Sequence, residues 1–173
     1  MKILLYNSPW YDAKEPMKWG VRAGSRWPHM QVRPEQGLLP RYVPFPFFLA
    51  TAGAVLRREG YDVKIIDGVG EDITLEESYD RIAEFSPDLI FSESSTPSIV
   101  WDKKVFADLH EKFPEVIIVS GGSQGVSMIP SLMEESAVPH YWLGGEFDLS
   151  LLKLVQTLQV EGDLQKVPGL ISR

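Results

Sequence analysis

Short apolar runs alternate along this chain with stretches of helical period. Ile3-Leu4-Leu5-Tyr6 is a non-alternating apolar run, as expected of a strand buried on both faces of a sheet. From Phe47 to Glu59 the period is helical, with Phe48, Ala52, Val55 and Glu59 on one spacing and Leu49 and Leu56 beside them. Val63-Lys64-Ile65-Ile66 predicts a second strand. Thr74-Leu75-Glu76-Glu77 has the form of a capping box and opens a helix with Leu75, Tyr79 and Ile82 on one face. Leu89-Ile90-Phe91 predicts a third strand, and Ile99 to Phe113 a helix with Phe106, Leu109 and Phe113 in line until Pro114 stops it. Val116-Ile117-Ile118-Val119 predicts a fourth strand ended by Gly121-Gly122, followed by a short helix near Ile129 to Ser136. Tyr141-Trp142-Leu143 predicts a fifth strand ending in Gly144-Gly145, and Leu151, Leu154, Val155 and Leu158 mark the last helix.

Strict alternation of strand and helix implies right-handed crossovers onto a parallel sheet with helices on both faces. The expected fold is therefore α/β and flavodoxin-like (Rossmann-like). It is a doubly wound, five-stranded parallel sheet of order 2-1-3-4-5 in a three-layer αβα sandwich. Residues 1–159 make up this unit, and residues 160–173 fall outside the repeat. Within that tail, Gly169-Leu170-Ile171 is compatible with an edge strand. Residues 9–46 form a long irregular loop, which in a compact domain points to function.

Composition narrows the function classes. The chain has 173 residues, 44% hydrophobic and 24% charged, which is ordinary for a globular domain. It contains no cysteine, so it offers no thiolate for zinc, for an iron–sulfur cluster or for nucleophilic catalysis. A net charge of −7 argues against nucleic acid as a partner. No stretch reaches the roughly 18 consecutive apolar residues of a membrane span, because Val43 to Leu56 is interrupted by Pro44, Pro46, Thr51 and Gly53. No secretory leader is legible at the start either, and a cytoplasmic address is expected.

In such a sheet, ligands bind outside the carboxyl ends of the strands, where the strand order reverses between the first and third strands. The candidate binding residues are those that follow each strand: Asn7, Ser8 and Pro9; Ser92, Ser94, Ser95 and Thr96; Gly121, Gly122 and Ser123; and Gly144, Gly145 and Glu146. Paired glycines leave bare backbone for a large flat ligand, and the hydroxyl run offers uncharged hydrogen bonds. Together they describe a roomy, neutral crevice. Either Gly-Gly pair serves equally well as a tight turn.

Other sites fail on position. Asn7-Ser8-Pro9 stands where a dinucleotide fingerprint needs its glycines, and Gly68-Val69-Gly70 lacks a third glycine. A phosphate-binding Walker loop is missing, and Asn7 and Ser92 replace the acidic residues of a phospho-acceptor domain. His110, in Asp108-Leu109-His110, lies within a helix and lacks the D-x-H-x-x-G glycine, Phe113 standing in its place; His140 precedes the fifth strand. His29 falls in the long loop. There Lys14, Lys18, Arg22, Arg26, Arg33 and Arg41 face Asp12, Glu15 and Glu35, with Trp10, Trp19 and Trp27 interleaved, a pattern that suits stacking or cover for a ligand or a partner.

The ordered set of segments resembles the N-terminal cobalamin (B12)-binding domain of B12-dependent radical SAM enzymes. Leu4-Leu5-Tyr6-Asn7-Ser8-Pro9 matches that family's strand ending in Asn-Pro-Pro, with Ser8 departing. Pro46, Leu49, Ala50, Leu56, Arg57, Gly60, Val63, Ile65 and Asp67 follow its P-x-x-L-A-x-x-x-x-L-R-x-x-G-x-x-V-x-I-x-D pattern, Leu56 one residue late. Pro87, Asp88 and Ser92 bracket the third strand, Gly121-Gly122 follows the fourth, and Gly145-Glu146-Phe147-Asp148 is similar to the family's G-E-x-E. Val167-Pro168-Gly169-Leu170-Ile171 resembles its link to a catalytic domain.

The resemblance implies cobalamin as cofactor, with the corrin across the strand ends. Its nucleotide tail would pass between the first and third strands, past Ser92 to Thr96 and Gly121-Gly122, and the cobalt would be held base-off with no histidine from this chain. S-adenosylmethionine and a [4Fe–4S] cluster would belong to a radical SAM domain of the same parent chain, carrying C-x-x-x-C-x-x-C beyond Arg173. The parent reaction would be methyl transfer or a ring-forming rearrangement. Enlarging Gly122 to Val is expected to obstruct the tail and spare the fold. Two other readings stay open from the residues alone: a flavodoxin-like domain for a flavin or nucleotide, and a protein-interaction domain using the Arg/Trp loop.

Overall fold

The computed structural model describes residues 1–9, 45–96, 98–122, 126–135 and 137–172. The Arg/Trp segment and Ser123 lie outside the described residues. The elements are β1 (Lys2–Asn7), α1 (Phe47–Arg58), β2 (Asp62–Asp67), α2 (Leu75–Phe85), β3 (Leu89–Glu93), α3 (Ile99–Lys112), β4 (Ile117–Gly122), α4 (Ile129–Glu134), β5 (Tyr141–Gly144), α5 (Asp148–Gln159) and β6 (Leu170–Ser172).

One sheet runs β2-β1-β3-β4-β5-β6, with the first five strands parallel. The expected order holds, and the strand count is corrected from five to six. β6 pairs antiparallel with β5, Leu143 opposite Leu170 and Tyr141 opposite Ser172. The amide of Gly144 donates to the Gly169 carbonyl at 2.8 Å, which secures the turn-back. An antiparallel strand at the edge of a parallel sheet is a common variation. The tail beyond residue 159 thus contributes a strand to the sheet, and Val167 enters the core. Gly121 and Gly122 are the last residues of β4 and do not follow it.

Strand alternation sorts the core into two layers. Ile3, Leu5, Leu89, Phe91, Val119 and Leu143 face α1 and α5, meeting Leu49, Leu56, Leu151 and Leu154. Leu4, Tyr6, Ile66, Ile90 and Ile118 face α2 and α3, meeting Tyr79, Ile82, Phe106 and Leu109. A smaller cluster joins α4 to β5 through Ile129, Met133 and Trp142. Ile3 to Tyr6 have no exposed surface, which is why β1 needed no polar positions. Among the described residues, no helix is long and apolar enough to cross a membrane.

The predicted capping box is present. Thr74 Oγ1 accepts from the amide of Glu77 at 3.2 Å, and the Glu77 carboxylate accepts from the amide of Thr74 at 2.7 Å. It sets the start of α2 and so places Tyr79 between the helices. There Tyr79 donates to Asp108 at 3.2 Å. Burial, then the neighbouring Tyr6 and Asp108, push the Tyr79 phenol far above its ordinary value of 10.0. The sign follows: above pH of about 10 the unfolded chain releases this proton while the folded chain keeps it, so stability falls as pH rises. Denaturant titrations between about pH 8 and 11 are expected to show that decline, and Tyr79→Phe to flatten it. An equal slope in both proteins would refute the assignment.

Candidate functional site

A cleft of about 550 Å³ opens at the carboxyl ends of β3, β4 and β5, on the α1/α5 side. Small-molecule sites commonly span about 300–1,000 Å³. Phe48 and Thr51 of α1 form one wall, and Phe147 and Asp148 at the start of α5 form another. Glu93 of β3 and Gly122 of β4 make the floor, with Gly145 and Glu146 at the turn after β5. Phe147 ties this wall to the core. Its ring lies 4.6 Å from that of Phe91 and 6.5 Å, edge-on, from that of Phe48.

The two glycines in the cleft are there for different reasons. Gly145 has φ +79, and a Cβ built on it would meet nothing within 4 Å, so its bare backbone borders open space. Gly122 has φ +123, and a Cβ there would lie 2.4 Å from the carbonyl oxygen of Ser94 and 3.1 Å from Glu93 Cγ. Close approach of its own backbone neighbours demands a glycine at that position. The expectation that Gly122 can be enlarged without cost to the fold is therefore corrected.

Alternation also decides where the residues of β3 point. Leu89 and Phe91 face α1 and α5, so Glu93, two residues on, turns to the same side and reaches the cleft. Ser92 and Ser94 turn to the other side. Ser120 Oγ lies 3.1 Å from both the Ser92 carbonyl and Ser94 Oγ, and Ser94 has no exposed surface. Ser95 donates its amide to Ser98 Oγ at 2.9 Å, and Ser98 Oγ donates to Asp102 at 2.6 Å. The expected hydroxyl run is thus largely committed inside the protein, and Thr96 alone among these four residues is exposed.

At the end of β1, Asn7 donates to Asp67 at 2.7 Å, and Asp67 also receives the amide of Gly70 at 3.0 Å. The Pro9 carbonyl accepts from the Trp101 indole at 2.8 Å, which ties the exit of β1 to α3. Ser8 Oγ is buried and finds no hydrogen-bond partner among the described residues. Of the candidate residues, the structure brings Gly122, Gly145 and Glu146 together in the cleft. Asn7, Ser8, Pro9, Ser92, Ser94, Ser95, Thr96, Gly121 and Gly144 surround the strand ends without lining it. Glu93, Phe48 and Thr51 are not among the candidate binding residues, and Phe147 and Asp148 enter the sequence reading only within the G-E-x-E-like segment; the period-two pattern Leu89, Phe91, Glu93 is the available signal for Glu93.

Exposed apolar residues stand at the starts of the helices at this end of the sheet. Phe45, Phe47 and Phe48 at the start of α1, Val100 in α3, Met128 just before α4 and Leu149 in α5 are all exposed. Phe45 and Phe47 meet edge to face at 4.8 Å. Each of these helices begins at the carboxyl end of the sheet, so their apolar residues share one face. Clustered exposed apolar surface of this kind marks a contact site. Two histidines are described, and both sit at the opposite end. His140 accepts the amide of Ile118, near the start of β4, at 2.9 Å, and its ring lies 5.7 Å from that of His110. Among the described residues, no group of three or more His, Asp or Glu is arranged to hold a metal ion.

Comparison with known proteins found no matching family model. An uncharacterized methyltransferase of Pyrococcus horikoshii is 32% identical over 126 residues, 72% of this chain and 27% of that protein. An anaerobic magnesium-protoporphyrin IX monomethyl ester cyclase of Synechocystis is 28% identical over 177 residues, all of this chain and 31% of that protein. The chain thus spans about a third or less of these curated relatives. Among solved structures, the cobalamin-dependent S-adenosylmethionine radical enzyme OxsB, with aqua-cobalamin and S-adenosylmethionine bound, superposes with a TM-score of 0.65. That match has 19% identity and covers 98% of this chain and 20% of the enzyme. The resemblance read from the sequence is borne out, with the fold of this chain found within a cobalamin-dependent radical SAM enzyme.

Proposed function

We propose that this chain is a cobalamin-binding domain of a radical SAM enzyme, with the corrin seated on the apolar rim and the nucleotide tail in the cleft. The cleft beside Gly145 carries the reading, because it offers a deep opening with bare backbone at the strand ends. Its aromatic walls, Phe48 and Phe147, suit a planar heterocycle. The exposed rim residues Phe47, Val100, Met128 and Leu149 suit the broad face of a macrocycle. This route lies beside β3 to β5 and passes Glu93 and Gly122, with the buried serines behind it.

When bound, the cofactor would supply cobalt–carbon chemistry; the residues of this chain hold it, orient it and cover one face. The exposed Thr96 offers a polar group beyond the end of β3, on the side where the ligand's edge would lie. The described histidines lie at the far end of the sheet and would supply no imidazole to the cobalt, and a tail lodged in the cleft would leave the cofactor base-off. S-adenosylmethionine and the [4Fe–4S] cluster belong to a further domain of the parent chain, which is also the partner of the rim. The relatives' names, a methyltransferase and a cyclase, support methyl transfer or a ring-forming rearrangement as the parent reaction.

The test is to mix the purified chain with hydroxocobalamin at tens of micromolar and to follow the visible spectrum after gel filtration. Co-elution with a base-off spectrum is expected, unchanged in His110→Ala. Absence of any bound cobalamin would refute the proposal. A base-on spectrum would refute the base-off mode alone, and a spectral change in His110→Ala would refute the absence of a histidine ligand alone.

A further inference from the structure

We infer that Gly169 is a positioning residue for the cleft: by gripping Gly144, the C-terminal segment sets the β5–α5 corner on which ligand binding depends. The inference rests on the cobalamin reading for the ligand's identity, but its physical basis is separate. Gly145, Glu146, Phe147 and Asp148 all line the cleft, and they follow β5 in one short run. Their placement depends on how β5 ends. That strand is only four residues long, and on one side it pairs with β4, Gly144 opposite Gly122. Its other side is covered by β6, which comes from the segment outside the β–α repeat.

Gly169 holds the end of β5 at two points. The Gly144 amide donates to the Gly169 carbonyl at 2.8 Å. The Gly144 carbonyl oxygen lies so near that a Cβ on Gly169 would stand 2.6 Å from it, and φ +70 at Gly169 itself favours glycine. That carbonyl belongs to the peptide unit leading into Gly145, whose bare backbone borders the cleft. The flanking residues anchor the segment. Val167 is buried in the same apolar cluster as the cleft wall Phe147, with Leu164 and Leu170 packed against that cluster. Gly169 is not a lining residue and acts through Gly144. A ligand that needs the formed corner favours a seated β6, and a seated β6 favours the ligand by the same factor.

The test compares hydroxocobalamin with cobinamide, the same macrocycle without its nucleotide tail. Both are titrated into the intact 173-residue chain, Gly169→Ala and Leu170→Ala. Loss of folded protein weakens both ligands alike, so the ratio of their affinities reports on the corner alone. In Gly169→Ala, whose Cβ pushes on the Gly144 carbonyl, cobalamin is expected to lose about tenfold relative to cobinamide. Leu170→Ala spares that backbone contact but loosens β6, with an expected relative loss of about fivefold; it carries the test if Gly169→Ala does not fold. A ratio within about twofold of the parent in the folded variants would overturn the inference. Nitrogen–proton correlation spectra give a readout without ligand. The Gly145, Glu146 and Phe147 amides are expected to shift in the same variants, while those of α2, across the sheet, stay in place. Unmoved amides at the corner would equally overturn it. Failure of the parent to bind either corrinoid tells against the proposed function, and the amide shifts then decide the role of Gly169 alone.

Discussion

Gly122→Val is expected to lose several kcal/mol of stability, and to lose ligand binding because the rim is no longer formed. At φ +123 an L side chain is strained, by about 1–3 kcal/mol in comparable positions. The new Cβ would also stand 2.4 Å from the Ser94 carbonyl oxygen, which belongs to the backbone of the neighbouring strand end and has nowhere to retreat. Overpacking of this kind adds about 1–3 kcal/mol. The sum is a large share of the roughly 5–15 kcal/mol that holds a domain folded. A fall in melting temperature of about 10 °C is expected for a chain of this size. Thermal melts by circular dichroism check it. A variant that melts within about 2 °C of the parent would show that the β3–β4 approach is looser than the structure has it. Gly145→Ala is the informative comparison, because its Cβ meets open space and only the strain at φ +79 opposes it.

This contrast shows what the sequence made legible and what it did not. The order of strands followed from period and punctuation, since β1 and β3 are unbroken apolar runs and α2 announces itself by its capping box. The edge strand β6 was weak in the sequence because three residues carry no period. The rim was found as a region, for the general reason that parallel sheets leave their carboxyl ends open. Its individual residues were harder to read. A serine run after a strand looks like ligand chemistry, but the side chains of Ser92 and Ser94 turn toward the α2/α3 layer, where Ser120 Oγ donates to the Ser92 carbonyl and meets the Ser94 hydroxyl. A paired glycine looks like room for a ligand, whereas at Gly122 the room is already filled by Ser94. Glu93 is flanked by hydroxyl residues that are the stronger signal in the sequence. Its place in the cleft depends on which face the strand presents, and that follows only once Leu89 and Phe91 are assigned to the α1/α5 layer.

Thr51→Trp is expected to abolish tail binding and leave the fold intact. Thr51 sits on α1 with its side chain exposed toward the cleft, and its hydroxyl donates only to the Phe47 carbonyl one turn earlier, at 2.9 Å. Removing that bond costs little, because the carbonyl lies in a helix and water can replace the hydroxyl. An indole at this position projects between Phe48 and Phe147 and occupies the space that a heterocycle would take. Loss of one well-buried anchor typically costs about 2 kcal/mol or more, so cobalamin affinity should fall by at least about 30-fold. Cobinamide, which lacks the nucleotide tail, reports on the rim alone and should bind the variant within about threefold of the parent. Melting temperature should move by no more than about 2 °C. If cobalamin binds Thr51→Trp as tightly as the parent while both keep the same fold, the tail does not enter this cleft. If cobinamide weakens in parallel with cobalamin, the rim and the cleft form one surface that the indole disturbs as a whole, and macrocycle and tail do not bind at separate places.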